Sequence, residues 1–333
     1  MLFLYSLLSL FFAVSSQTFN CSQPETFNDN RVNSKQWKLA QFNVEWLFTE
    51  PYSSCPGICN WNTSEEEWEH LNTIKSVLDK LDADTIHLCE VQSCTQLEQV
   101  KPSSMYHSYM IPGDDTYTGQ NVGLLTKIDP IRKLVRTEDR YSYPIKNSNC
   151  GYDNSGTEGV SKHLITEFYI NGISIKLIGA HLLSNPNDPE PCSKRESQAQ
   201  VLQKVIHDAI NEKFEVIVIG DLNDFDSNIP DLNNNIPKSK VLDILKGNIG
   251  DYANYTLYSV GNMVSQSERY TEWYDANGNC IVDKQDFSTL DHMLMTKRLY
   301  DSIIDVNYEH IYQQSCHTFQ SDHYPIMVTF NFA

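Results

Sequence analysis

The sequence predicts an α/β chain whose mixed sheets are covered by helices. Three observations carry this. Apolar strand-like segments alternate with amphipathic helical ones along most of the 333 residues, the pattern of layered α/β architectures. Asn171-Gly172 joins two of the strands, and Asn-Gly is the strongest short hairpin signal, so the sheets cannot be purely parallel. No Pro/Gly/Ser-rich linker or internal repeat divides the chain, so a single domain is expected.

The elements follow in order. WKLAQFNV reads as a strand ending near Asn43. Ser64-Glu65-Glu66-Glu67 reads as a capping box, opening a helix with Trp68, Leu71, Ile74, Leu78 and Leu81 on one face. ADTIHLCEV is a short apolar strand ending at Glu90. QNVGLLTK and IRKLVRT read as further strands, and HLITEFYI with ISIKLIGAHL forms the hairpin. Ser193-Lys194-Arg195-Glu196 is read as the cap of a second helix, with Val201, Leu202, Val205, Ala209 and Ile210 apolar. FEVIVIGDLND is a buried strand ending in acids. A short helix is expected near residues 237–246, and STLDHMLMT and YPIMVTFNF close the chain.

Residues 1–16 carry no charge and run from an apolar stretch into small residues. That is the shape of a signal peptide, with Val14 and Ser16 at the cleavage positions. Residues 17–36 are then an N-terminal extension and 37–333 the domain. The run is shorter than the ~20 apolar residues of a membrane span, so a secreted protein, or one of the secretory or endolysosomal lumen, is expected, without stable membrane association. Nine cysteines, all after residue 16, fit disulfide formation in that compartment. Nine is odd, and Cys89, inside the strand TIHLC, is the one to leave free; Cys55 and Cys59 flank a Pro-Gly turn that permits a local bridge. Sequons stand at Asn20, Asn62 and Asn254. The formal charge of −18 counts against tight metal-free binding of polyanions, but not against an enzyme that meets phosphates through bound cations. No protein partner is implied, and a monomer is expected.

One pattern points to chemistry. Successive apolar strands end in polar clusters: Asn43 and Glu45, then Glu90, His181, Asp221 and Asn223, Asp291, and Asp322 with His323. Strand ends on one edge can converge. Carboxylates, amides and two histidines, without a cysteine cluster, are hard oxygen ligands plus acid–base groups, a set suited to Mg²⁺ or Mn²⁺ and phosphoryl transfer. GxxxxGK, HExxH and GxSxG are absent, so P-loop, zincin and serine-hydrolase chemistry lack their signatures.

In order, FNVEW, LCEVQ, GAHL, GDLND, TLDHM and SDHYP resemble the successive motifs of the endonuclease/exonuclease/phosphatase superfamily, the deoxyribonuclease I-like proteins. The resemblance runs from about Trp37 to the C-terminus. It implies a four-layer sandwich, two packed mixed sheets with helices outside, and a metal-dependent phosphodiesterase. It also implies roles. Glu90 is the principal metal ligand, Glu45 an accessory one and Asp322 a candidate second-metal ligand. Asn43 orients ligands and phosphate, Asn223 holds the phosphate, and Asp221 orients or deprotonates the attacking water. His323 meets the scissile phosphate, held in its tautomer by Asp291, and His181 donates to phosphate or to the leaving oxygen. Arg195 resembles a recurrent arginine of extracellular nucleases and is a candidate substrate contact. His87, His163, His292 and His317 are read as structural.

Two departures stand out: Cys89 replaces the Gln usual before the metal-binding Glu, and Gln92 replaces the minor-groove Arg of deoxyribonuclease I. Three functions stay open: an extracellular nuclease with nucleic acid as substrate, a sphingomyelinase-like hydrolase of lipid or small phosphoesters, and a catalytically silent binding protein. A lipid enzyme should expose an apolar loop, for which Trp46-Leu47-Phe48 is the candidate. Separately, Asp275, Asn277, Asn279, Asp283 and Asp286 follow EF-hand spacing and are candidate ligands for a structural Ca²⁺, although Cys280 stands where that loop needs Gly.

Overall fold

The structure is a computed structural model that describes residues 21, 24, 27–49, 61, 63–316 and 318–332. The expected signal peptide, Asn20, Asn62, Cys55, Cys59 and His317 lie outside the described residues.

The elements run β1 (Gln36–Leu47), α1 (Ser64–Leu81), β2 (Thr85–Val91), α2 (Cys94–Val100), β3 (His107–Met110), β4 (Asn121–Thr126), β5 (Tyr141–Tyr143), β6 (Gly156–Glu158), β7 (Lys162–Ile170), β8 (Ile173–His181), α3 (Pro189–Asn211), β9 (Glu215–Asp221), α4 (Val241–Leu245), β10 (Tyr258–Ser259), β11 (Glu272–Trp273), β12 (Phe287–Ser288), β13 (Asp291–Met295), α5 (Lys297–Asp301), β14 (Ile303–Tyr308) and β15 (Ile326–Asn331). One sheet has the order β14-β15-β1-β2-β4-β3, the other β10-β13-β9-β8-β7. Each has one parallel pair, β1 with β2 and β8 with β9. Those pairs are the ones linked through a long helix, α1 or α3, as parallel neighbours require. The other pairs are antiparallel.

Side-chain alternation then sets the layers. In β1, Trp37 and Leu39 face the second sheet, while Ala40, Phe42 and Val44 face α1 and α2. In β9, Ile217 and Ile219 face the first sheet, while Val216 and Val218 face α3 and α4. Three apolar cores result, one between the sheets and one under each helical layer, giving the expected four-layer sandwich.

Several local expectations need correction. Thr63, whose hydroxyl accepts from Glu66 N–H, caps α1, and Trp68 lies off the buried face at 44% exposure. Helix α3 starts earlier than read: Pro189 stands at its first turn, where the missing N–H costs nothing, so Ser193–Glu196 lie within the helix, and Ser193, Arg195 and Glu196 are buried. IRKLVRT contributes only a bridge from Val135 to Ile165, since it follows Pro130 and mostly faces solvent. Leu47 and Phe48 are core residues, so Trp46-Leu47-Phe48 is no exposed loop. Cys21–Cys94, Cys150–Cys192 and Cys280–Cys316 are disulfides, and Cys89 is free and buried.

Candidate active site

Register builds the site. His181 on β8 pairs with Asp221 on β9, and Asp221 pairs with Asp291 on β13. The three therefore stand side by side at one end of the second sheet. Across the sandwich, Asn43 pairs with Cys89 on β2, which brings Asn43 beside Glu90. Each residue continues an inward-facing row: Leu39, then Asn43, in β1, and Ile217 and Ile219, then Asp221, in β9. The apolar layer between the sheets gives way to a polar one at this edge.

The backbone leaves regular geometry here. Glu45, Trp46, Glu90 and Asn223 all have positive φ (49°, 51°, 66° and 51°). This region is costly for residues with a Cβ and clusters at functional sites. Hydrogen bonds hold it in place. Glu90 Oε2 accepts from Trp46 N–H (3.1 Å) and from Gln120 Nε2 (2.7 Å). Asn43 Oδ1 accepts from Glu45 N–H (3.1 Å), and Asp221 Oδ1 accepts from Asn223 N–H (2.9 Å).

Asn43 is the hub. Its Nδ2 donates to Glu90 Oε1 (3.1 Å) and Asp221 Oδ2 (3.0 Å), and lies 3.5 Å from His323 Nε2. His323 Nδ1 is 2.7 Å from Asp291 Oδ2, so the ring presents Nε2 to Asp221 Oδ2 at 4.0 Å and Asp322 Oδ1 at 3.9 Å. His181 Nε2 lies 3.6 Å from Asp221 and 3.9 Å from Glu90. Glu45 Oε2 accepts from Asp322 N–H (2.8 Å), and Asn223 Nδ2 donates to Leu182 O (3.1 Å). Asn43, Glu45, Glu90, His181, Asp221, Asn223, Asp291, Asp322 and His323 thus surround one place.

The charges there are unbalanced. Burial, then the Asp291 charge, raises Asp221 above the carboxylate range. Asp322, only half-buried, is raised too, by desolvation and then by the Glu45 charge. Burial alone would lower His323, but the charges of Asp291, Asp322 and Asp221 outweigh it and push the imidazole well up. His181 goes the other way, lowered by burial and then by Lys162. Several crowded carboxylates facing one imidazolium form an environment that a divalent cation would relieve, and oxygen-rich donors suit Mg²⁺ or Mn²⁺. Glu90, Glu45 and Asp322 are the carboxylates there that could hold such an ion.

Arg195 is not at this site. Its side chain is 0% exposed; it pairs with Asp224 at 3.3 Å and donates to the carbonyls of Leu183, Ser184, Asn185 and Pro186. The guanidinium braces the segment after His181 against the turn carrying Asn223 and cannot reach a ligand. His292 faces away from Asp291 and bonds Asp224 O (2.8 Å). In the acidic loop, Asp275, Asn277 and Asn279 accept from the loop's own N–H groups, and Asp286 accepts from Asp283 N–H. Among the described residues, Asp275, Asp283 and Asp286 are not gathered into one carboxylate cluster; Asp275 instead meets the Cys280–Cys316 disulfide. Asn254 is exposed.

Sequence reasoning missed several residues that shape the site. Gln120 holds Glu90, and Lys162, paired with His181 in register, reaches Gln120 Oε1 (3.2 Å). Ser321 Oγ donates to Asn43 O (2.7 Å). Thr271 Oγ1 accepts from Asp291 N–H (3.0 Å), and Gln41 Nε2 donates to Asp291 Oδ1 (3.0 Å). Gln41 had a signal, a polar residue two before Asn43 on the same strand face.

No family model and no curated protein matches the chain. Solved structures do. An AP endonuclease from Archaeoglobus fulgidus superposes with a TM-score of 0.56 at 13% identity, over 89% of this chain and 99% of that one. A 3′-5′ exonuclease (NExo) from Neisseria meningitidis gives 0.55 at 14%, over 88% and 99%. An endonuclease/exonuclease/phosphatase from Beutenbergia cavernae gives 0.54 at 13%, over 89% and 72%. At such identities the likeness is one of fold: the chain has the endonuclease/exonuclease/phosphatase fold.

Proposed function

We propose that this chain is an exported, divalent-metal-dependent phosphodiesterase whose substrate is nucleic acid. The observation that carries the reading is the convergence on one sheet edge of Glu90, Asn43, Asp221 and the His323–Asp291 pair. Export is supported by the three disulfides among the described residues, since such bonds persist in oxidising compartments. Among the described residues no helix is long and apolar enough to cross a membrane. A nucleic acid substrate is supported by the fold-mates, one of which, a 3′ phosphatase NExo from Neisseria, is bound to a product DNA hairpin.

The chemistry follows from the residues. Glu90, Glu45 and Asp322 would hold a Mg²⁺ or Mn²⁺ ion, which would supply Lewis-acid stabilisation of charge on the phosphoryl oxygens. Asn43 and Asn223 orient the phosphate by amide hydrogen bonds. Asp221, its proton affinity raised by burial and Asp291, accepts the proton of the attacking water. His323, its Nδ1 held by Asp291, donates Nε2–H to the phosphate as negative charge grows there. His181, beside Asp221, donates to the leaving oxygen.

A lipid or small phosphoester substrate is the second reading. It is favoured by Tyr274, Ile281 and Val282, exposed on the hairpin joining β11 and β12, whose Trp273 N–H donates to Asp322 O (2.8 Å) at the edge of the site. A panel of plasmid DNA, single-stranded DNA, RNA and sphingomyelin, each with Mg²⁺, Mn²⁺, Ca²⁺ or EDTA, tests both. Cleavage of a nucleic acid with Mg²⁺ and not EDTA supports the first. Cleavage of sphingomyelin alone replaces it with the second, and cleavage of none overturns both.

A further inference from the structure

We infer that Gln41 and His87 are positioning residues for the chemical step, forming with Asp291 and His323 a buried four-residue hydrogen-bonded chain that crosses from one sheet to the other and ends at the reactive imidazole. The inference rests on the phosphodiesterase reading above.

The chain is continuous. His87 Nδ1 lies 2.5 Å from Gln41 Oε1, Gln41 Nε2 lies 3.0 Å from Asp291 Oδ1, and Asp291 Oδ2 lies 2.7 Å from His323 Nδ1. Gln41, His87 and Asp291 are fully buried. Gln41 and His87 stand on β1 and β2 of one sheet, paired in register, while Asp291 is on β13 of the other. Both polar residues stand in the inward rows between the sheets, next to Leu39 and Leu124 of the apolar core. Burying a glutamine and a histidine there costs desolvation that a pair of aliphatic side chains would avoid.

The direction of each bond is fixed. Burial lowers His87 to about 3, so the ring is neutral and has one N–H. That proton must be on Nδ1, because Gln41 presents its oxygen there. The Gln41 amide is then oriented with its NH₂ toward Asp291. A donor on Oδ1 fixes the plane of the Asp291 carboxyl and points Oδ2 at His323 Nδ1, so the bond that orients the imidazole is itself held in place. The far end is also shaped. A Cβ at Gly179 on β8 would sit 2.3 Å from His87 Nε2, so this place in the second sheet has room for the ring only as glycine. His87 Nε2 has no hydrogen-bond partner among the described residues, so Nδ1 is the end of the ring that makes a polar bond. Neither residue touches the reacting atoms; both act through Asp291.

Gln41→Met tests this, since the thioether keeps the length and loses both bonds. The primary readout is the pair of imidazole N–H resonances of His323, measured on metal-free protein, which report how each ring proton is bonded. In wild type both nitrogens should carry protons, with Nδ1–H in a strong bond to Asp291. Gln41→Met should weaken that bond and move the Nδ1–H resonance upfield, and His87→Leu and Gly179→Ala should move it in the same direction by less. In turnover, Gln41→Met should lower kcat by roughly 10–100-fold with KM and the Mg²⁺ requirement little changed, the scale of losing an orienting partner. In a His323→Ala background the same substitution should cause no further fall. Unmoved His323 shifts in the folded variants, or an equal fall in kcat with and without His323, overturn the inference. If Gln41→Met does not fold, His87→Leu and Gly179→Ala decide by the same shifts. If wild type hydrolyses no phosphodiester, the functional reading fails, while the shifts still decide whether the chain positions His323.

Discussion

Removing Asp291 should cost nearly as much turnover as removing His323, and removing both should cost little more. Asp291 Oδ2 accepts from His323 Nδ1 and Oδ1 from Gln41 Nε2, with no solvent exposure. Asp291→Ala therefore strands the His323 donor and leaves Gln41 Nε2 only the weakly accepting Cys89 sulfur at 3.5 Å, at about 1–3 kcal/mol each, or at most roughly 2–6 kcal/mol of stability. Relief of the repulsion that raises Asp221 offsets part of this. Losing an acid–base group costs about 10²–10⁴ in rate, or roughly 3–5 kcal/mol of barrier. If the pair acts as one unit, His323→Ala, Asp291→Ala and the double variant should all fall in that window. Independent contributions would multiply to about 10⁴–10⁸. The assay is kcat at saturating substrate and Mg²⁺, at a temperature where denaturant melts show all three variants folded. Multiplicative losses would refute the unit. So would a loss of stability in Asp291→Ala with turnover intact, which would make Asp291 only a brace.

Other perturbations read other parts of the structure. His163 accepts Thr137 N–H at Nε2 (3.0 Å) and donates Nδ1–H to Val160 O (2.7 Å), so the fold holds it neutral, lowered to about 4 by burial and then by Arg136. The unfolded chain protonates it near 6.5, so this stability is present above pH 6.5 and is lost as pH falls toward 4. The loss is about 2 kcal/mol by pH 5, and urea melts at pH 8 and pH 5 should show that much less pH dependence in His163→Gln; an equal dependence contradicts the assignment. Arg195→Met should destabilise by about 3–5 kcal/mol, because Asp224 is left as an uncompensated buried charge, with KM for a phosphodiester nearly unchanged. A raised KM with normal stability would restore Arg195 as a substrate contact.

The strands that carry the chemistry were legible because each is an apolar run that ends abruptly in polar residues, and such runs both define a buried strand and mark its end. The ordered motifs then placed Asn43, Glu90, His181, Asp221, Asp291 and His323 together. Arg195 was misplaced because its meaning depends on Asp224, 29 residues away, and on four carbonyls of a loop; a surface arginine at a helix start looks the same in sequence. The start of α3 was misjudged because Ser193–Glu196 imitates a cap inside a helix that Pro189 had already opened. Strand β14 was not anticipated: Ile304, Asp305 and Asn307 at its outer edge are mostly exposed, so pairing with β15 defines it and hydrophobic alternation does not. Gln41 and His87 were readable as polar interruptions of an inward row, but their partner Asp291 lies 250 residues from Gln41, a pairing that only the packed sheets reveal.

Glu90 is proposed to anchor a metal ion required for phosphodiester hydrolysis. Its carboxylate is held by Asn43, Trp46 N–H and Gln120, so Glu90→Gln removes charge while keeping much of the shape. The direct measurement is the Mg²⁺ dependence of hydrolysis of the best substrate in the panel, for wild type and Glu90→Gln. Wild type should be inactive in EDTA and saturate with Mg²⁺, and the variant should need far more Mg²⁺ and turn over at least about 10-fold more slowly even when saturated. Equal rates for both proteins, or wild-type hydrolysis that persists in EDTA, would contradict it.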